Sequence, residues 1–135
     1  MAVFVATDYN IKINGVDYSA NLTQAELSLE ADDVEVTAFG STYRNRIGGL
    51  KQGSLNLQFN QDFGASGLDS VLFPLLGTAA TVIIKPTSTA VSATNPTYTF
   101  NALVTSYTPI SGSVGDLATF SVTWPVAGTV TRATA

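Results

Sequence analysis

The 135-residue sequence contains neither cysteine nor histidine. Without cysteine the chain can form no disulfide and no thiolate metal site. The absence of histidine removes the commonest general base and the commonest metal ligand. We therefore predict no catalytic residues, no metal site, no cofactor and no enzymatic activity. The length suits one domain with its own core, so we predict a single domain over residues 1–135.

Charged residues are also scarce. They make up 12% of the chain, about half of the roughly 25% that is usual in globular domains. A surface so poor in charge tends to associate. The net charge of −4 and the pI near 4.4 disfavour binding to DNA phosphates. The sequence lacks a signal-like N-terminus and any apolar run long enough to span a bilayer, so we expect a soluble, unexported protein that does not contact a membrane.

Period-two patterns and turn residues predict a mainly β fold. An Asn14-Gly15 pair between alternating residues 11–13 and 16–18 is a strong hairpin signal, because both turn positions need positive φ. Alternation typical of half-buried strands recurs at residues 26–30, 55–60 and 118–124. We predict a β-sandwich or half-open barrel with one short flanking helix.

The predicted helix covers residues 66–76. Ser66 and Asp69 fit a capping box with Asp in place of Glu, and Leu68, Leu72 and others supply an apolar stripe. Pro74 lacks an amide proton, so the last turn should be distorted or end early. The small residues at 126–135 predict a C-terminal arm that is mobile or ordered by a partner.

Residues 37–53 are predicted to be a long loop, because they show no alternation and include several glycines. A connection of that length in a compact domain is usually functional. Five of the ten acidic residues lie at 26–35, and three of the six basic residues lie at 44–51. This segregation suggests contacts between copies of the chain. The predicted contact residues are Arg44, Arg46, Gly48, Gly49 and Lys51, with Asp32, Asp33 and Glu35 as possible acidic partners. The alternative is a hairpin within one chain, with cross-strand ion pairs of little value.

Other interpretations of the same residues are weaker. Gly48 and Gly53 are spaced like the glycines of a phosphate loop, but the Lys-Ser/Thr that should follow is missing. The acidic run at 32–35 fits neither a calcium loop nor a glycosidase carboxylate pair, so a solvated or interface patch is favoured. The aromatics at 100, 120 and 124 could stack on sugars, but their alternation favours the core.

Four stretches, "ADDVEVTAFGSTYRNRIGGLKQGSLNLQFNQDF", "LFPLLG", "NPTYTF" and "GDLATFSVTWP", occur in that order. Together, over roughly residues 8–130, they resemble the major tail proteins, or tail tube proteins, of long non-contractile-tailed bacteriophages. Prophage and gene-transfer particles use related tubes, so the resemblance leaves the kind of particle open.

The resemblance implies a structural virion protein that forms stacked hexameric rings, which build the tail tube through which DNA is ejected into the host. It implies that the 37–53 loop reaches a neighbouring subunit or ring. The implied partners are other copies of the chain, the tape measure protein, the tail terminator and distal tail or baseplate proteins. DNA would cross the lumen without specific binding. The location would be the virion tail, assembled in the host bacterial cytoplasm. The alternative function is a monomeric β-sandwich module for adhesion or carbohydrate binding.

Overall fold

A computed structural model describes residues 3–135. Its elements in chain order are β1 (Asn10–Ile13), β2 (Val16–Asp17), a 3-10 turn (Ser19–Asn21), β3 (Leu22–Glu35), β4 (Arg46–Asn60), α1 (Leu68–Leu75), β5 (Ala79–Lys85), β6 (Thr97–Leu103), β7 (Thr119–Pro125) and β8 (Thr131–Ala133). No helix within residues 3–135 is long and apolar enough to cross a membrane.

The strands form two antiparallel sheets. Sheet A has the order β2-β1-β5-β6-β8, and sheet B has the order β3-β4-β7. Their facing sides enclose one apolar core, and the single short helix flanks them. The predicted fold class, mainly β with a sandwich and one short helix, is confirmed.

The N-terminal hairpin is confirmed. Asn14 and Gly15 have φ values of +50° and +85°, both in the left-handed region that a two-residue hairpin turn requires. Strand β1 pairs with β2 through Ile13 and Val16, and its other side pairs with β5. The turn depends only on Asn14, Gly15 and their immediate neighbours, so the sequence could predict it without knowledge of the tertiary structure.

The alternating segments supply the core as predicted. Leu55, Leu57 and Phe59 of β4 lie opposite Trp124, Val122 and Phe120 of β7, and all six side chains are buried. The indole N–H of Trp124 donates to the Ser106 carbonyl at 2.9 Å, which satisfies its buried polar atom. Phe100 is also buried. The three aromatics considered for sugar stacking therefore belong to the core.

Helix α1 has the predicted place but not the predicted cap. Its N-cap is Gly67, and no side chain caps it. The capping box is wrong because the Asp69 carboxylate accepts a hydrogen bond from the Tyr107 hydroxyl at 2.8 Å instead. Pro74 lies in the last turn, and the helix ends at Leu75, one residue before the predicted bound.

The C-terminal segment is not the free arm predicted at 126–135. After β7 the chain crosses from sheet B to sheet A, where the Ala127 amide donates to the Asn101 carbonyl at 2.7 Å. Strand β8 then pairs with β6, with Arg132 opposite Tyr98. The prediction failed because backbone pairing with an open sheet edge does not require apolar side chains.

The prediction of a long loop at 37–53 is also wrong for the second half of that segment. Strand β4 begins at Arg46, and its residues 46–53 pair with residues 29–35 of β3. Only residues 36–45 connect the two strands. Alternation is lost in 46–53 because neither face is buried and because the register shifts between Ala31 and Asp33.

Candidate assembly surfaces

The β3–β4 hairpin extends well beyond the sandwich. Strand β7 covers β4 only from Ser54 to Asn60, so the hairpin beyond Gly53 has no third strand. We call residues 29–53 the arm. Seven residues per strand, at about 3.4 Å each, make it about 24 Å long before its tip. All but one of its residues are exposed, so the arm contributes little to the core.

The arm carries apolar side chains that no residue in the described part of the chain covers. Phe39, at the tip, is 110% exposed, and Tyr43 is 84% exposed. The other exposed large apolar residues on the arm are Leu29, Val34, Val36, Ile47 and Leu50. The tip is folded into a turn in which the Ser41 amide donates to the Ala38 carbonyl at 3.3 Å. A formed element with uncovered aromatics is typical of a contact surface.

Two of the predicted basic residues meet acidic residues within the same chain. Arg44 contacts Glu35 at 3.1 Å, and Arg46 contacts Asp33 at 2.7 Å. The antiparallel register places all four residues near the arm tip, with Glu35 directly opposite Arg46. These pairs are the cross-strand ion pairs of the alternative interpretation. They are solvent-exposed, so each stabilises the arm by about 1 kcal/mol at most.

The remaining predicted residues have different positions on the arm. Lys51 lies opposite Ala31 at the arm base, and Gly48 lies opposite Asp33. At Gly49 a Cβ would come within 3.0 Å of the Asp32 Cβ, whereas at Gly48 it would meet nothing within 4 Å. Gly49 therefore allows close approach of the strands at the register shift. Contact of these residues with another subunit stays a prediction.

The outer face of sheet B is polar and contains no lysine or arginine. It consists of the residues that alternate with the core positions, namely Gln24, Glu26, Ser28, Glu30, Gln52, Ser54, Asn56, Gln58, Asn60, Thr119, Ser121 and Thr123. Two of its hydrogen bonds orient carboxylates, from Ser28 to Glu26 at 3.1 Å and from Gln52 to Glu30 at 3.2 Å. The face is thus uncharged apart from its acidic residues.

Sheet B also has two open edges. Strand β3 pairs only with β4, and β7 pairs only with β4, along the part of the chain that the structure describes. The edge of β3 is 14 residues long. Open edges of that length pair readily with strands of another chain. The sequence predicted strands here, but it could not show which of them would be edges.

The groups with shifted pKa values belong to structural networks. Burial and the nearby Asp69 carboxylate raise the pKa of Tyr107 to about 12, although a hydrogen bond from Gln61 opposes the shift. Burial likewise raises the pKa of Tyr18. Hydrogen bonds from Ser88 lower the pKa of Asp8, and hydrogen bonds from Ser19 lower the pKa of Asp17. The hydrogen bonds of Asp8, Asp17 and Tyr107 join neighbouring segments, whereas the buried Tyr18 hydroxyl has no hydrogen-bond partner among residues 3–135. None of these groups suggests a catalytic pair.

Reasoning from the sequence missed the arm-tip aromatics. Phe39 and Tyr43 fall within the segment predicted to be a contact loop, yet only its charged residues and glycines were selected. These two aromatic residues lie near a glycine in a segment without strand or helix periodicity. Because no such pattern gave them a buried face, their exposure could have been predicted from the sequence.

No protein-family model and no curated protein sequence matches the chain. Solved structures do match. One similar chain comes from the virion of a native gene transfer agent particle, with a TM-score of 0.77 and 18% identity over 96% of this chain and 98% of that one. Another comes from the tail of an empty gene transfer agent particle refined with C6 symmetry, with a TM-score of 0.63 and 16% identity over 91% and 92% of the two chains. The chain therefore has the fold of proteins that occur in a gene transfer agent virion and its tail.

Proposed function

We propose that this chain is a structural tail protein that polymerises as stacked hexameric rings, forming the tube through which DNA leaves the particle. The observation that carries the proposal is the arm. It is a formed β-hairpin with exposed aromatics that extends away from the subunit, and the described residues include no element packed against it. The similar tail structure has C6 symmetry, which supports six subunits per ring.

The open edges of sheet B support ring closure. In a ring, the free edge of β3 in one subunit would pair with the free edge of β7 in the next. Such pairing abolishes edges that would otherwise promote uncontrolled aggregation. Three strands from each of six subunits would give a barrel in the size range that leaves an aqueous channel.

The outer face of sheet B is the best candidate for the channel wall. Closing the barrel with the core face outward leaves the polar face lining the lumen. Its side chains are mostly hydroxyls and amides, with Glu26 and Glu30 as the charged groups. Phosphates would find no cation to bind on that face, so DNA could pass without adhering. Sheet A carries Lys12 and Lys85 and suits this role less well.

A monomeric carbohydrate-binding module is the second candidate. The exposed Phe39 and Tyr43 are the one observation that favours it, because exposed aromatic rings can stack on sugars. These side chains lie at the end of a narrow ribbon rather than in a concave site, which is the usual form of a ligand pocket. The fold shared with virion and tail chains supports a non-enzymatic structural role instead.

The test combines size-exclusion chromatography with negative-stain microscopy of the purified full chain. We expect rings or tubes from the wild type. The double substitution Phe39→Ser/Tyr43→Ser should remain monomeric with an unchanged melting temperature, because both side chains lie outside the core. Phe73→Ser is the matched control: Phe73 is an exposed aromatic on α1, away from the arm, and this variant should assemble normally. A wild type that stays monomeric at high concentration and binds glycans would support the module instead.

A further inference from the structure

We propose that the loop between β6 and β7 of one copy docks into a groove at the arm base of the next copy, so that subunits are joined head to tail. This inference rests on the proposed tube and specifies a contact within it. The contact is distinct from the arm tip and from the strand edges. Its evidence is a preformed loop, an unfilled groove, and the positions of the two in the subunit.

The groove lies between the two sheets, at the end of the sandwich nearest the arm and beyond the last buried core residues. Leu29 and Lys51 face it from sheet B, because they lie on the same face as the partly buried Leu27 and the buried Leu55. Tyr98 and Arg132 face it from sheet A, in register with Ile84. The resulting cavity has a volume of about 790 Å³ and is also lined by Val130. Its apolar walls are thus open to solvent.

The groove carries two cations without acidic partners. Lys51 and Arg132 both line it, and neither forms an ion pair with any residue in the described part of the chain. Glu30 also lines the groove, but its side chain lies on the outer face of sheet B, where its carboxylate accepts a hydrogen bond from Gln52. An occupant that combines apolar side chains with a negative charge would therefore match this site.

The loop presents those groups. Ile110, Val114 and Leu117 are all strongly exposed, with Val114 at 106%. Asp116 is the only charged residue between β6 and β7. The Asp116 amide donates to the Ser113 carbonyl at 3.0 Å, which closes a turn with Val114 at its apex. The loop therefore holds a compact shape while its apolar side chains point away from the subunit.

Gln61 fixes both ends of this loop. Its backbone amide donates to the Ala118 carbonyl at 2.9 Å, and its side-chain amide donates to the Pro109 carbonyl at 2.7 Å. Tyr107 adds a second anchor through its hydrogen bond to Asp69. Compact surface loops whose ends are held together are frequently functional. Because the loop is already ordered, docking would cost little conformational entropy.

The loop and the groove lie at opposite ends of sheet B. Strand β7 pairs with β4 from Thr119, next to the loop, to Pro125, next to the groove. The length of β7 separates the two by roughly 20 Å, so the loop cannot fill the groove of its own chain. When one copy docks end to end on another, however, the pair still has one free loop and one free groove. Further copies can therefore add at both ends without limit. The groove also adjoins the arm, so the two proposed contacts form one continuous interface.

Cysteine cross-linking tests the docking directly, because the natural chain has no cysteine. The full chain carrying Leu29→Cys and Val114→Cys is assembled and treated with a short bis-maleimide. We expect a ladder of covalent multimers on denaturing gels, because each copy would be linked at both ends. The control pair Phe73→Cys and Val114→Cys also exposes two thiols but should give no ladder above background.

A charge swap supplies the second measurement. Asp116→Arg or Arg132→Asp alone should raise the critical concentration for assembly about tenfold or more, because each places like charges in contact. The combined swap should restore assembly, and Lys12→Glu, on the outer face of sheet A, should have little effect. Tubes without the cross-link ladder and without rescue would overturn the docking while leaving the tube intact. A wild type that forms no tubes would overturn the proposed function itself.

Discussion

The two halves of the β3–β4 hairpin have the same backbone pairing but different surroundings. In the inner half, β7 pairs alongside β4, and Leu55, Leu57 and Phe59 are buried against the other sheet. In the outer half, within residues 3–135, no strand pairs beside the hairpin and no sheet packs on it, so Leu50 and Ile47 remain exposed. One continuous hairpin therefore serves two purposes. Its inner half stabilises the fold, and its outer half is the part that we propose contacts other subunits.

This division means that stability and assembly should respond to different substitutions. Burial of apolar area dominates the free energy of folding, so the inner half should control unfolding. The outer half buries little in the isolated subunit, so changes there should appear mainly when subunits associate. The predictions below test this separation, from the largest expected effect to the smallest.

Leu57→Ala should destabilise the subunit by about 2–5 kcal/mol, because it leaves a cavity in a buried layer. Leu50→Ala, the same substitution on the arm, should change the free energy of unfolding by about 0.5 kcal/mol or less. Urea denaturation of both variants and the wild type, below the concentration at which subunits assemble, measures both values. Equal losses would show that the arm packs against the subunit after all.

Arg44→Glu/Arg46→Glu should abolish assembly while lowering the stability of the monomer by about 1–2 kcal/mol at most. The substitutions replace two exposed ion pairs with four acidic groups on one face of the arm. Circular dichroism with thermal melting reports the fold, and negative-stain microscopy reports assembly. Arg44→Lys/Arg46→Lys, which keeps the charge, should still assemble. Normal tubes from the glutamate variant would contradict the proposed role of these residues.

Gly49→Ala should loosen the arm by about 1 kcal/mol, because its Cβ would lie 3.0 Å from the Asp32 Cβ and 3.3 Å from the Val34 Cγ2. Gly48→Ala is the matched control, since its Cβ would meet nothing within 4 Å. Amide hydrogen exchange should show faster opening of the arm in the first variant than in the second, with the inner half of the hairpin unchanged in both. Identical exchange rates would argue against close packing at the register shift.

Tyr107 should make the stability of the packed region depend on pH in alkaline solution. Its pKa is raised to about 12 by burial and by Asp69, so folding favours the protonated hydroxyl. The stabilisation is fully present below the unfolded pKa of about 10 and is lost as pH rises toward 12. Because the group is partly exposed, we expect a loss on the order of 1 kcal/mol. Tyr107→Phe keeps the ring contact with Phe120, and its stability should lack this component between pH 10 and 12. A wild type and variant with parallel pH profiles would contradict the assignment.

The sequence predicted those parts of the fold that depend on local chemistry or on one buried face. Asn14-Gly15 specified a turn, and the alternation at 55–60 and 118–124 specified which side chains are in the core. The candidate site was predicted less well. Its charged residues were found, and Asp33 and Glu35 were named as possible partners. Sequence spacing alone could not decide whether these pairs form across a hairpin of one chain or between copies.

What the sequence determined by itself was a mainly β domain without cysteine or histidine chemistry, low in charge, with its acidic and basic residues segregated. Only the tertiary structure decided that residues 46–53 are a strand, that residues 131–133 close the edge of sheet A, and that the 110–117 loop and the groove lie at opposite ends. The physical reason is the same in each case. Backbone hydrogen bonds can pair strands whose side chains carry no periodic signal, and the relative positions of distant segments are set by sheet order and register, which local patterns do not contain.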